Sequence, residues 1–501
     1  MKQNRKKIFV NAMAALLFAA PAIGGFAGCG EEEFEGLTVV TMYSSEAENA
    51  PIVKIAEDFT KETGIPVDVS YKSSAGGYRQ WMLTQFASNR APDILMTSRD
   101  WTDVDIVNEY LYNLTDSLNT ANEYYIDSPY ATWRDTFTEH AMSRAAYSLD
   151  DTQTYLIPLT MVSVRIMVNV EYLKNNAIEI PREGYDSWDA YLAENNWTWN
   201  EYINICDQVQ AKGFPVFKCA NARAVDGPVG WVSDLLANML FPEKIKQWDE
   251  DGNRSISCNE MIKIILEGDL QYTDPEIMKV YDYIDKWKEY WAPAYNSTDM
   301  ETALHSFFKK EVFSYMNGSW SALGQEKVLD NAFGDAYHYT RFEYRAMPFP
   351  LLTTENDPGC TYEKVPEIGD IGYAFAVSSM AEKRGQEENA VKFLKYMTSK
   401  AKMTEWFEDN WNIPAVKDVE LNAKIDEFNW VDNSEAYALR LLGATLPDST
   451  ISNKNFNQMQ LYLTGQLSRE ELGSKFQKIL SDSAKDTADQ YGWDASNNYG
   501  M

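Results

Sequence analysis

The stretch at 155–174, YLIPLTMVSVRIMVNVEYLK, is a long apolar and β-branched run in the middle of an otherwise acidic, polar chain. Val162, Val164, Ile166 and Val168 recur at every second position, which is the period of an extended strand. Pro158 breaks any helix and pushes Ile157 into extended backbone. The chain is therefore expected to cross here from one compact unit into another. The helix-like EYLKNNA at 171–177 opens the second unit.

A chain of 501 residues is too long for one ordinary core and fits two or more domains. Hydrophobic residues make up 45% and aromatic ones 13%, including 15 Trp and 30 Tyr. That load exceeds what a recognition surface needs, so most of it is expected in cores and between lobes.

At the N-terminus, Lys2, Arg5, Lys6 and Lys7 precede a short apolar segment, and small residues follow in GGFAGCG. This is the layout of a secretory leader. Phe26-Ala27-Gly28-Cys29 resembles the bacterial lipobox, so 1–28 reads as a lipoprotein signal peptide. Cys29 then becomes the lipid-bearing first residue, carrying acyl chains such as palmitate, with 29–36 as an acidic tether. Pro21 and Gly24-Gly25 interrupt the alternative, a transmembrane helix. No later run reaches the roughly 18 apolar residues that a span needs.

The formal net charge is −30, and loss of four basic groups with the leader makes it −34. Nucleic acid is an unsuitable partner, since its phosphates require a basic face. Cys206, Cys219, Cys258 and Cys360 remain after Cys29. Outside the cytoplasm they allow disulfides, and their wide spacing equally fits buried thiols. No His/Cys cluster suggests a metal, and Asp249 with Asp251 gives only a fragment of a calcium loop. Neither a cofactor motif nor a catalytic triad context surrounds His140, His305 or His338.

Outward from the crossing, 37–43 reads as a strand, and Ile52, Ile55, Ala56 and Phe59 mark a helix closed by Gly64. Val67, Val69 and Tyr71 form a second strand, 78–88 a second helix and 93–97 a third strand. Such a series implies an α/β layer, with ligands beyond the carboxyl ends of the strands. The loops there are 43–46, 73–78 and 98–101.

Several ordered marks then carry a family resemblance: VVTMYSS (39–45), ETGIPVDV (62–69), APDI (91–94), IPLTMVSVRIMVNVEYL (157–173), WTWNEY (197–202), VFSYMNGSW (312–320) and IGYAFAVSSMAEKRGQEENAVKFLKYMTS (371–399). Together they resemble the family 1 extracellular solute-binding proteins, the sugar-binding subunits of ABC importers. The chain departs at Asn169, which Val170-Glu171 follow where the family often has Lys-Asp, and in its extra length at 219–300 and the C-terminus. The resemblance implies a two-lobe, type II-like fold, each lobe a mostly parallel sheet flanked by helices, joined by three crossings. Lobe 1 would span 37–160 plus 371–412, and lobe 2 161–370 plus 413–501. It implies a monomer anchored to the outer face of the cell membrane, or periplasmic in a two-membrane bacterium, that delivers a carbohydrate, an oligosaccharide above all, to importer membrane subunits.

A sugar presents apolar C–H faces to flat aromatic rings and a hydroxyl rim to planar hydrogen-bonding groups. Trp101, Trp231 and Trp320, each just after a turn into a helix, are the stacking candidates. Glu46, Arg79, Arg99, Asp100 and Asp226 are the candidate hydroxyl partners. Tyr43, Tyr78, Thr160, Tyr373 and Trp411 complete the expected contacts. Two other classes remain open: a lipid-anchored glycan-active enzyme working through paired carboxylates, and a surface protein that captures polysaccharide without importing it.

Overall fold

The chain crosses between two sheets at Ser163. In this computed structural model, strand β6 (Ile157–Val162) lies in one sheet and β7 (Val164–Asn169) in the other. The apolar run is thus two strands broken by a single residue. Ser163 is buried; its hydroxyl donates to the Phe428 carbonyl at 2.6 Å, and its own carbonyl accepts from the Ser319 amide at 2.9 Å. Those bonds replace the ladder partners lost at the break.

The structure describes residues 35–42, 46–72, 75–126, 129–147, 150–222, 227–250, 252, 254–330, 339–366, 369–409, 412–420, 425–428, 437, 439–442, 446 and 451–500. The chain divides after Gly36, and Leu37–Met501 folds as one compact unit. The leader, the tether up to residue 34 and Cys29 lie outside the described residues.

The remaining strands are β1 (Leu37–Thr41), β2 (Val67–Tyr71), β3 (Ile94–Thr97), β4 (Ala146–Tyr147), β5 (Asp150–Thr154), β8 (Phe217–Lys218), β9 (Ser314–Gly318), β10 (Tyr344–Met347), β11 (Asp370–Val377) and β12 (Ile413–Pro414). The first lobe carries a six-stranded sheet in the order β12-β6-β11-β3-β1-β2, and the second a four-stranded sheet, β10-β7-β9-β8. Strand β1 pairs in parallel with β2 and β3, connected by the helices Glu46–Thr63 and Ala75–Ala87. The expectation of mostly parallel sheets holds for that series and is amended at the crossings. There β11 runs antiparallel to β3 and β6, β12 antiparallel to β6, and β7 antiparallel to β9 and β10. Strands that enter a sheet from the other lobe need not follow the direction that local crossover helices impose.

The lobe boundaries shift accordingly. Val162 still pairs with Asp370 in the first sheet, so that sheet runs two residues past the expected 160. Residues 413–416, expected in lobe 2, pair along the six-stranded sheet. Pro414 pairs with Thr160, the Ala415 amide donates to Leu159 at 2.9 Å, and Val416 bridges Phe137. The chain then returns to the second lobe, where Leu439, Leu441, Leu442 and the helices Ile451–Leu463 and Arg469–Tyr491 join the core.

Trp197 and Trp287 are fully buried in the second core, and Trp133 and Trp406 in the first. The aromatic load is thus largely structural. The opposite face of the small sheet, with Phe307, Phe308, Tyr315 and Tyr344, is continuous with the first lobe's core, which makes one unit of the two lobes. WTWNEY opens its helix with a full capping box between Thr198 and Glu201. Gly64 and Gly213 take the left-handed backbone that ends their helices. The four cysteines after Cys29 are all buried.

Candidate functional site

A cavity of about 70 Å³ opens at the crossing, lined by Val162, Ser163, Val164, Trp231, Asp234, Leu235, Trp320, Asp370 and Arg440. Its walls come from both lobes. Val162 ends β6 and Asp370 begins β11, while Trp231 and Asp234 stand on the second-lobe helix Pro228–Leu240.

Trp320 follows β9 through the turn Ser319–Ser321 and is 42% exposed. Its ring lies directly against the backbone of Gly318, where a Cβ would collide with it. The ring of Trp231 meets it edge to face, with centroids 5.5 Å apart. Proline at the helix start sets the entry of Pro228–Leu240, which puts Trp231 on the first turn, at the cavity.

Asp234 is the single charge in PVGWVSDLLANML and is 6% exposed. It accepts from the Leu441 amide at 2.8 Å, and Arg440 stands 3.7 Å away. Arg440 gives its closer bond, 2.7 Å, to Asp370. Burial accordingly dominates at Asp234 and pushes its carboxyl up to about 7, although Arg440 and the Leu441 amide oppose the shift. Asp370 is held below the usual carboxylate range: burial opposes this, but Arg440, Arg144 and the Ile371 amide outweigh it. His140, on the helix Glu139–Ala145, faces the Gly369 carbonyl at 3.5 Å; burial and neighbouring Arg144 push its imidazole down to about 4.

Of the expected contacts, Trp231 and Trp320 meet at this cavity. Trp101 is half-buried on the first lobe. Tyr78 stacks against it with centroids 6.3 Å apart, and the Arg79 guanidinium lies 5.3 Å from its ring. Tyr78 itself is fully buried and donates to the Met96 carbonyl at 2.5 Å, and Arg79 pairs with Asp105 at 2.7 Å. Both residues pack against Trp101 and stand outside the cavity lining. Thr160 is buried and receives the Tyr373 amide at 2.9 Å, a hydrogen bond between β6 and β11. It stands outside the cavity lining, and Tyr373 is half-buried beside it. Glu46 is exposed at a helix start away from the cavity lining. Arg99 donates from Nε to the Arg144 carbonyl at 3.0 Å. Tyr43, Asp226 and Trp411 lie outside the described residues, as does the side chain of Asp100.

Asp234, Asp370, Arg440, Arg144 and His140 escaped the sequence reading. Asp234 left a signal, a lone carboxylate in an apolar helix. Arg440 left none, because it sits in an aperiodic segment. Asp249, read as a fragment of a calcium loop, accepts the Arg254 amide at 3.0 Å. No carboxylate, thiol or imidazole cluster able to hold a metal occurs among the described residues.

Two lobes, each built on its own sheet, meet at an aromatic and charged cavity where the chain crosses at Ser163. A family model for bacterial extracellular solute-binding protein matches residues 43–404, and the chain belongs to that family. The multiple sugar-binding protein of Streptococcus mutans is 24% identical over 398 residues, 74% of this chain and 73% of that one. A chitin oligosaccharide binding protein shares the fold with a TM-score of 0.62 at 17% identity, over 90% of this chain and 99% of its own. RafE from Streptococcus pneumoniae does so with a TM-score of 0.62 at 14% identity, over 93% of this chain and all of its own. No described helix is long and apolar enough to cross a membrane.

Proposed function

We propose that this protein is the substrate-binding lipoprotein of an ABC importer, tethered through Cys29, which captures an oligosaccharide between its lobes and presents it to the membrane subunits. The observation that carries the reading is the pairing of Trp231 and Trp320 beside Asp234, Asp370 and Arg440 where the lobes join. Flat aromatic area serves the C–H faces of a sugar, and carboxylates with a guanidinium serve its hydroxyls. Known relatives support it: a multiple sugar-binding protein, a chitin oligosaccharide binding protein and RafE, which has been solved with raffinose.

A ligand touching both lobes binds the closed arrangement better and shifts the population toward it. Isothermal titration of the purified chain against mono- and oligosaccharides tests this reading. Saturable binding of an oligosaccharide that is recovered intact supports it. Cleavage of that sugar, or normal growth of a deletion strain on every sugar the protein binds, would count against it.

A further inference from the structure

We propose that the captured sugar is anionic, and that its carboxylate or sulfate group is gripped by Arg144 and Arg254 from opposite lobes. This deepens the sugar-binding reading above and rests on it. Arg144 stands on the helix Glu139–Ala145, which packs on β6 and β11 of the first lobe. Arg254 lies in the second lobe, just before the helix Cys258–Glu267. The two meet across the seam, where Arg144 Nη1 donates to the Arg254 carbonyl at 2.6 Å.

Arg144 is only 3% exposed, and its Nε and Nη2 are buried with no acceptor; Arg254 Nη1 is buried and unmet as well. A guanidinium cannot escape burial by losing its proton at working pH, so a buried one requires an anion or a full set of acceptors. Two carboxylates face the guanidinium groups of Arg144, Arg254, Arg99 and Arg440 here. Asp370 takes Arg440 at 2.7 Å and the Ile371 amide at 2.8 Å, Asp249 takes the Arg254 amide at 3.0 Å, and both act electrostatically on Arg144 without matching the number of cations. Arg99, bonded to the Arg144 carbonyl at 3.0 Å, brings another guanidinium to the same seam. Burial lowers the Arg144 guanidinium to about 10; Arg99 and Arg440 add to the shift, and Asp370 and Asp249 oppose it.

A neutral sugar could satisfy unmet N–H groups with hydroxyls, yet it would leave like charges facing each other as the lobes close. An anion reverses the sign of that interaction. The forked donors of arginine match the planar oxygens of a carboxylate and equally receive a sulfate. Closure would then be favoured only with the ligand in place. Asp370 links the two parts of the site, lining the Trp231 and Trp320 cavity while interacting electrostatically with both Arg440 and Arg144.

The test is calorimetric titration of the full chain with matched glycans. One series pairs di- and trigalacturonate with their carboxyl-reduced neutral counterparts, and another pairs sulfated galactobiose with its unsulfated parent. Sodium acetate and sodium sulfate alone serve as anion controls, and amino acids and short peptides as non-glycan controls. The charged member of at least one series is expected to bind about 30-fold tighter than its neutral twin, and Arg144→Gln or Arg254→Gln to erase that preference. The readout is the ratio of charged to neutral affinity, which the variants should bring close to one, the charged member losing far more than the neutral one. Melting points of the apo variants are read alongside, so that a loss of fold is told apart from a loss of the charge preference, and Arg254→Gln serves if Arg144→Gln does not fold. Which series responds distinguishes a uronate from a sulfate ester.

Equal affinity for charged and neutral members, or variants that weaken both alike, overturns the proposal and leaves the sugar reading standing. Acetate or sulfate binding as tightly as the glycans would also overturn it. Failure of every glycan, with or without binding of an amino acid or peptide, overturns the sugar reading and the proposal with it.

Discussion

At the residue scale the account turns on one glycine and two titrating side chains. Trp320 can lie flat on the turn only because residue 318 has no Cβ. Trp320→Ala is expected to weaken sugar binding by about 10- to 100-fold, the usual loss for an aromatic anchor that a ligand covers. Gly318→Ala should approach that loss by displacing the ring without removing it, and calorimetry on both variants checks the pair. Asp234 and His140 make a second case. Between about pH 4 and 7 the folded state holds a proton on Asp234 that the unfolded chain lacks, so this group's stabilisation is lost as pH rises. His140, pushed down to about 4, works the other way: its stabilisation is present above the ordinary imidazole value and is lost as pH falls toward 4. The two slopes oppose each other. Urea unfolding across that range should show stability rising more steeply with pH in Asp234→Asn, and rising less or falling in His140→Gln.

At the element scale the crossing is what the sequence announces and what the fold has to secure. Alternating β-branched residues made 157–169 legible as a crossing strand, and helical spacing with the stop at Gly64 made the first helix legible too. The break at Ser163 was hidden because serine fits a strand as readily as a turn. The two-residue β12 was missed because so short an element has no period to read. The crossing is secured by Arg165, which is 1% exposed and donates to the carbonyls of Val164 at 2.9 Å, Glu427 at 3.1 Å and Phe428 at 3.2 Å. Those bonds tie the first crossing to the returning segment Ile425–Phe428, whose Glu427 also accepts the Ala346 amide of β10 at 2.9 Å. Arg165→Met should lower the unfolding free energy by about 3 kcal/mol, because it leaves buried carbonyls unmet. Denaturant titration measures that cost.

At the scale of the whole molecule, the order of the family's marks along the chain foretold two lobes and their joint. It did not foretell the cavity's charges. Trp231 and Trp320 were legible because each follows a turn into a helix. Arg144, Arg254, Asp370 and Arg440 come from segments far apart in sequence, and only the fold brings them to one seam. Tyr78 and Arg79, read as ligand contacts from loop-like polarity, pack against Trp101 outside the cavity lining. The most direct check of the central claim is a thermal-shift screen of the full chain against mono- and oligosaccharides, charged and neutral, with amino acids and peptides as controls. A one-site ligand at a hundred times its dissociation constant adds about 2.7 kcal/mol, enough to move the melting point clearly. A selective rise with one oligosaccharide, lost in Trp320→Ala and with the sugar recovered intact, is the expected result. A flat screen, or a sugar returned cleaved, would contradict capture between the lobes.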